Sequence, residues 1–320
     1  VFSPCTPMKH PIQLLVLGAL LAAPGLLQAK ITRVVDKTFA VQPGGRLQAS
    51  TQGGDIRIAT GDAAEVQIHV KQVIQASTEA EADEILTKLE LTLEQSGNNV
   101  TAEAKYAKGE HFRWFKSWPP VSVSFEITVP KNYNLQLNTS GGNIAVASLQ
   151  GDVKARTSGG DLDFARIDGE IEANTSGGNI TLQEGTARAR LGTSGGDIKV
   201  ERAGGPTEVN TSGGNITLRS VAQLISAHTS GGDIRAVITE RLQADAVLNT
   251  SGGDVDVVVV KDAGFELDAS TSGGDVRANG LTITLEQGGS GKSKLRGSVN
   301  GGGPRLKLRS SGGDIKIRTN

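Results

Sequence analysis

Asn138-Thr-Ser-Gly-Gly-Asn-Ile-Ala-Val146 returns eighteen residues on as Arg156-Thr-Ser-Gly-Gly-Asp-Leu-Asp-Phe164, and again as Asn174-Thr-Ser-Gly-Gly-Asn-Ile-Thr-Leu182. The pentad Thr/Ser-Ser-Gly-Gly-Asp/Asn starts at Thr139, Thr157, Thr175, Thr193, Thr211, Thr229, Thr250, Thr271 and Ser310, and a variant, Thr-Gln-Gly-Gly-Asp, starts at Thr51. The spacing is 18 from Thr139 to Thr229, then 21, 21 and 39, the last being 18 plus 21. Self-similarity at a fixed short period marks a solenoid, in which each repeat buries its apolar face only against its neighbours.

Within a repeat, apolar residues recur at +5, +7, +10, +14 and +16 from the pentad Thr. They are Ile144, Val146, Leu149, Val153 and Ala155 in one unit and Leu162, Phe164, Ile167, Ile171 and Ala173 in the next. Alternation of this kind places two short strands in each coil, with these side chains inward. Gly185, Ala203 and Thr207 occupy the same slots less typically. At +15, Lys154, Glu172, Arg190 and Glu208 alternate in charge, so direct stacking sets opposite charges face to face. The spacing predicts an all-β solenoid with coils of about 18 residues, stacked along one edge from Thr139 to Thr271.

The repeat region is read as residues 135–320, with the looser glycine clusters after Thr271 and the strands through Ile317 as its C-terminal cap. Residues 30–134 read as an N-terminal β region. Val66, Ile68 and Val70 alternate with polar residues there, and one short helix is expected over about 78–88. Thr78 and Glu81 form a capping-box pair, and Ala82, Ile85, Leu86 and Leu89 share one face. Leu89, Leu91 and Leu93 then switch to strand alternation. The helix and hairpin are expected to close one end of the solenoid.

Residues 1–29 read as an upstream extension to Pro7 followed by a secretory signal from Met8. Lys9 and His10 precede an apolar run from Ile12 to Leu21, Pro24-Gly25 breaks it, and Ala29 ends it with a small residue, so cleavage after Ala29 is expected. The apolar run is short for a membrane span. The single Cys, Cys5, precedes that site, so an exported chain must rely on ladders and packing rather than disulfides. After removal of Lys9 the charges are 32 basic against 34 acidic residues, with no basic stripe to indicate nucleic acid.

Three further stretches carry a likeness to a known family. They are Asp36-Lys-Thr-Phe-Ala-Val-Gln-Pro-Gly-Gly-Arg-Leu47 leading into Gly54-Asp55-Ile56, Ile127-Thr-Val-Pro-Lys131 leading into Leu135-Gln-Leu-Asn-Thr-Ser-Gly-Gly142, and Gly301-Gly-Gly-Pro-Arg-Leu306 followed by Ser311-Gly-Gly-Asp-Ile315. Together with the pentads, they make the chain resemble the bacterial toast-rack family of exported, adhesin-type β-solenoid domains of unknown function. The resemblance implies a binding role through the family's name and supplies no catalytic residues.

The Gly-Gly-Asp/Asn turns invite a calcium reading, but the Gly-Gly-x-Gly-x-Asp nonapeptide of calcium β-rolls is missing, so turns supported by positive-φ glycines and side-chain-to-backbone bonds are expected. No cofactor or metal is expected. Each coil offers a single Thr, and alternation turns it inward, which disfavours an ice-binding face. Asn138, Asn174, Asn210 and Asn249 match the glycosylation triplet but belong to the repeat. His69, His111 and His228 are scattered, and Asp161, Asp163, Asp168, Asp254 and Asp256 follow the repeat rather than breaking it, so catalysis is disfavoured. A glycan-active β-helix enzyme is the alternative, and outward carboxylates converging in a groove would favour it. The partner-contact candidates are Phe112, Trp114, Phe115 and Trp118 in the aromatic loop 106–120, interleaved with His111, Arg113 and Lys116. The expected role is an exported, non-catalytic structural or binding module for an envelope component, glycan or protein.

Overall fold

The computed structural model describes residues 30–106 and 120–320. The N-terminal elements are β1 (Lys30–Ala40), β2 (Arg46–Ser50), β3 (Ile56–Gly61), β4 (Glu65–Gln75), α1 (Glu79–Leu86), β5 (Leu89–Ser96), β6 (Asn99–Tyr106) and β7 (Val121–Pro130). The repeats supply β8 (Asn134–Asn138), β9 (Ile144–Val146), β10 (Val153–Arg156), β11 (Leu162–Ile167), β12 (Ile171–Asn174), β13 (Ile180–Gly185), β14 (Ala189–Gly192), β15 (Ile198–Asn210), β16 (Ile216–His228), β17 (Ile234–Ile238), β18 (Ala246–Asn249) and β19 (Val255–Val259). The chain closes with β20 (Phe265–Thr271), β21 (Val276–Asn279), β22 (Ile283–Gly291), β23 (Lys294–Val299), β24 (Arg305–Ser310) and β25 (Ile315–Thr319).

Two strand columns result, one on each side of the apolar core. The first runs β5–β6–β2–β8–β10–β12–β14, through the second halves of β15 and β16, to β18–β24–β20–β23–β22. The second runs β1–β4–β7–β3–β9–β11–β13, through the first halves of β15 and β16, to β17–β19–β25–β21. Rung-to-rung pairing is parallel, and antiparallel pairing is confined to the two ends. The +5, +7, +10, +14 and +16 residues named above are all buried, and Gly185, Ala203 and Thr207 are buried in the same slots. Lys154, Glu172 and Arg190 stand directly opposite one another up the ladder, as do Arg190 and Glu208, with ion pairs of 3.0 Å (Lys154–Glu172) and 3.4 Å (Arg190–Glu208).

The pentads form the corner between the columns. From Thr139 to Thr271 each pentad Thr hydroxyl donates to a glycine carbonyl of the rung it stacks on and accepts its own pentad's second Gly N–H, whereas Thr51 donates to Val123 O at 2.8 Å; for Thr175 the partners are Gly160 O at 2.9 Å and Gly178 N at 3.3 Å. Each Asp/Asn side-chain oxygen accepts the backbone N–H of its counterpart on the next rung, as at Asp161 N to Asn143 Oδ1, 2.8 Å, and Asn179 N to Asp161 Oδ1, 2.7 Å. The expectation that these glycines supply positive φ is corrected. None of the pentad glycines lies in that region. The second Gly is required because the preceding rung's backbone passes against it: a Cβ on Gly160 would sit 1.9 Å from Gly142 O.

The rung order departs from chain order at both ends. The β2–β3 coil lies between β6–β7 and β8–β9, so Thr139 stacks on Thr51's rung. The β24–β25 coil slots between β18–β19 and β20–β21, placing Ser310's pentad between those of Thr250 and Thr271. The closing strands are therefore an internal rung, and the hairpin β22–β23, antiparallel to β20, covers that end. At the other end α1 follows its expected cap, with Glu81 N donating to Thr78 Oγ1 at 3.2 Å and Glu81 Oε2 accepting Ser77 N at 2.8 Å. Ala82 and Ile85 are its buried residues, while Leu89 opens β5.

Candidate functional site

The outer face of the second column carries a groove of about 1120 Å³ where the antiparallel arm β1–β4–β7 meets the parallel strands β3, β9, β11 and β13. Register explains its shape. One outward row crosses the strands as Asp36, His69, Glu126, Arg57, Ala145, Asp163 and Thr181, each directly opposite the next. A second, two residues earlier in β4, includes Gln67, Thr128 and Ala59, with Ala147 just past β9, Ala165 on β11 and Gln183 on β13 continuing it. Four alanines thus form the floor, and longer polar side chains stand on both sides. Ile58, Ile68, Ile127, Val146 and Phe164 alternate with them and are buried beneath.

The polar rim is organised by ion pairs. His69 Nδ1 lies 2.6 Å from Asp36 Oδ1. Arg57 Nη2 bonds Asp55 Oδ2 at 2.8 Å, and its Nη1 is 3.7 Å from Glu126 Oε1. The Lys37 ammonium lies 5.7 Å from the centroid of the Phe39 ring. Thr38, Thr128 and Thr181 add hydroxyls, and Gln67 and Gln183 add amides. Of the carboxylates expected to follow the repeat, Asp163 lines this groove, whereas Asp168 is held by Arg166 at 2.9 Å and Asp256 by Arg318 at 3.4 Å. His69 joins the groove, and His228 bonds Asn249 on the other column at 3.0 Å. No group of three or more His, Cys, Asp or Glu fit to hold a metal occurs among the described residues.

The aromatic contact candidates Phe112, Trp114, Phe115 and Trp118, with His111, lie outside the described residues. Their anchors do not. The Tyr106 hydroxyl bonds the Val121 carbonyl and accepts Val121 N at 3.1 Å, and burial pushes its phenol up to about 12. Tyr106 and Val121 lie on the pentad side of the β6–β7 coil, where Ser50 pairs with Glu103 and Ile56 with Phe125.

Sequence reasoning did not find the groove, because its residues come from seven strands spread over Asp36 to Gln183. A signal was present in the outward slots of the repeat. Ala145 and Ala165 stand where later rungs carry Thr, Lys or Gln, and small residues there open space on an otherwise bristling face.

A family model described as Toastrack DUF4097 matches residues 45–318. The chain belongs to the toast-rack family. No curated protein matches it. Among solved structures it is similar to a "putative adhesin" from Bacteroides fragilis, at 15% identity and TM-score 0.44, covering 90% of this chain and 97% of that one. It is also similar to a "putative lipid binding protein" from Parabacteroides distasonis, at 14% identity and TM-score 0.42, covering 89% and 96%. A third, a "putative adhesin" from Parabacteroides merdae, shares 12% identity at TM-score 0.37, covering 89% and 96%. No helix among the described residues of this toast-rack protein is long and apolar enough to cross a membrane.

Proposed function

We propose that this toast-rack protein is an exported, non-catalytic binding module whose groove beside β1, β4 and β7 holds a glycan of the cell envelope. The observation that carries the reading is the groove itself, an alanine floor within a rim of hydroxyl, amide and charged side chains. Such a surface matches a polyhydroxylated ring, with apolar contact below and hydrogen bonds at the sides. β3, β4, β7, β9, β11 and β13 beneath the groove are each paired on both sides, so only β1, at the column's edge and away from the alanine floor, has backbone groups free to receive an extended peptide, which docks at sheet edges. Export rests on the signal-like residues 1–29.

Outward carboxylates do meet in the groove, which is the feature expected of the enzyme alternative. Their surroundings favour binding. A general acid at neutral pH needs a carboxyl kept protonated by burial, and Asp36, Glu126 and Asp163 are all exposed. Asp36 is engaged by His69, and Glu126 stands beside Arg57. The test is a glycan array and envelope polysaccharide fractions probed with the wild type and with Ala165→Trp, which fills the floor. Binding by the wild type and its loss in the variant, at equal melting temperature, is expected. Equal binding by both, or none by either, overturns the groove as the site. Release of reducing ends that stops in Asp36→Asn overturns the non-catalytic reading.

A further inference from the structure

On the outer face, each ladder acid and the residue two positions on form a pair, and the pairs follow a rule. Asp55 is followed by Arg57, Asp197 by Lys199, Asp233 by Arg235, Asp314 by Lys316 and Asp275 by Arg277. Four of these cations lie 2.8, 2.8, 4.0 and 3.1 Å from their own rung's Asp at Arg57, Arg235, Lys316 and Arg277. Where the ladder carries Asn143, Asn179 or Asn215, the residue two on is neutral: Ala145, Thr181 or Thr217. Two rungs depart. Asp254–Asp256 carries two acids, but the adjacent rung supplies Lys316 at 3.8 Å and Arg318 at 3.4 Å. Asp161–Asp163 also carries two, and its neighbouring rungs offer only Asn143, Ala145, Asn179 and Thr181. Among the described residues neither Asp161 nor Asp163 makes an ion pair, and Asp163 projects at the groove wall beside the alanine floor.

From this missing cation we infer that the groove's ligand supplies the positive charge: an amine-bearing glycan, its ammonium group on Asp163. The inference rests on the groove reading of the previous subsection and adds the ligand's class. Every other acidic ladder position on this face has a basic residue on its own or a neighbouring rung, although Lys199 beside Asp197 is engaged by Glu201 at 2.6 Å, so that Asp161–Asp163 is the one acidic pair with no basic residue two positions on or directly opposite. A ligand ammonium placed beside Asp163 completes the same pattern, while Thr181 and Gln183 on the next strand meet ring hydroxyls. A lysine-bearing peptide offers the same ammonium, but β9, β11 and β13 around Asp163 are paired on both sides and leave it no main-chain bonds there.

The experiment uses the full chain and calorimetric titration with a glucosamine hexamer and its fully N-acetylated counterpart, at low and at 0.5 M salt. The wild type is expected to bind the amine form about tenfold or more tightly at low salt, with the preference shrinking at high salt. Asp163→Asn, with unchanged melting temperature, is expected to bind both hexamers equally, and Ala165→Trp to bind neither. Equal affinity of the wild type for both hexamers, or a preference that survives in Asp163→Asn, overturns the ammonium assignment while leaving the groove standing. Tighter, Asp163-dependent capture of an oligolysine peptide overturns the glycan assignment.

Discussion

The Ser310 hydroxyl donates to the Gly253 carbonyl at 2.8 Å, across 57 positions of chain, while Thr271 Oγ1 reaches Gly313 O at 2.7 Å. The last pentad is thus the wedge that joins the Thr250 rung to the Thr271 rung. Pairing of β24 with both β18 and β20, and of β25 with both β19 and β21, repeats this on each column.

Removing Arg305–Asn320 is therefore expected to do more than shorten the chain. It leaves the β20–β23 unit with no rung beneath it and uncovers Val255, Val257 and Leu248. Limited proteolysis should cut between Val260 and Lys294, and thermal unfolding should split or broaden. A single sharp transition with an intact 260–294 segment would show that the wedge is dispensable.

The two pentad glycines are expected to respond differently to alanine. A Cβ on Gly160 meets a backbone carbonyl at 1.9 Å, whereas one on Gly159 has nothing nearer than 3.7 Å. Gly160→Ala should cost about 1–3 kcal/mol, the usual range for overpacking. Gly159→Ala should stay within ~0.5 kcal/mol, as for other surface substitutions. Urea unfolding of the two variants separates steric need from backbone freedom, and equal costs would refute the close-approach account.

The pentad ladder predicts indifference to calcium and sensitivity to charge. Asp161 Oδ1 is already engaged by Asn179 N, and the same holds up the stack. Adding calcium after chelation should leave the melting temperature unchanged. Asn179→Asp keeps the acceptor but sets a new carboxylate between those of Asp161 and Asp197, so that like charges follow one another up the ladder. Stability should fall by roughly 0.5–1 kcal/mol, in the range of like charges placed directly opposite, and recover in 0.5 M salt. An unchanged Asn179→Asp variant would mean that Asp/Asn alternation is not an electrostatic device.

Asp268 supplies a pH test. Burial pushes its carboxyl up, but Arg309 Nη2 at 2.5 Å and Arg296 Nε at 2.7 Å outweigh this and hold it below the usual carboxylate range. A depressed folded value means that the unfolded chain binds the proton more readily, so this contribution is complete above ~4 and lost as pH falls through the folded value. Asp268→Asn should cost about 1.5–3 kcal/mol at pH 7, the range for hydrogen bonds to charged groups. The difference from wild type should close in acid. A gap that persists undiminished at pH 2 would place the effect in packing instead.

The inward residues were legible because the +5, +7, +10, +14 and +16 pattern depends only on strand alternation and an 18-residue coil, both local properties of the chain. The helix was legible for the same reason, since Thr78 and Glu81 act within one turn. Rung order was not. The pentads at Thr250, Thr271 and Ser310 are chemically interchangeable at the corner, so the repeat alone cannot say which lies on which. The connection through the β22–β23 hairpin decides it, by carrying the chain past one rung before β24 and β25 return to fill the gap. The groove was equally hidden, because it arises where β1 and β4 turn antiparallel beside β7 and bring Asp36 and His69 across from Arg57, Ala145 and Asp163. Sequence by itself determined the coil, its core and its polar ladder. Tertiary structure decided which coils are neighbours and where the outer face is hollow, since both depend on contacts between residues whose separation the repeat does not encode.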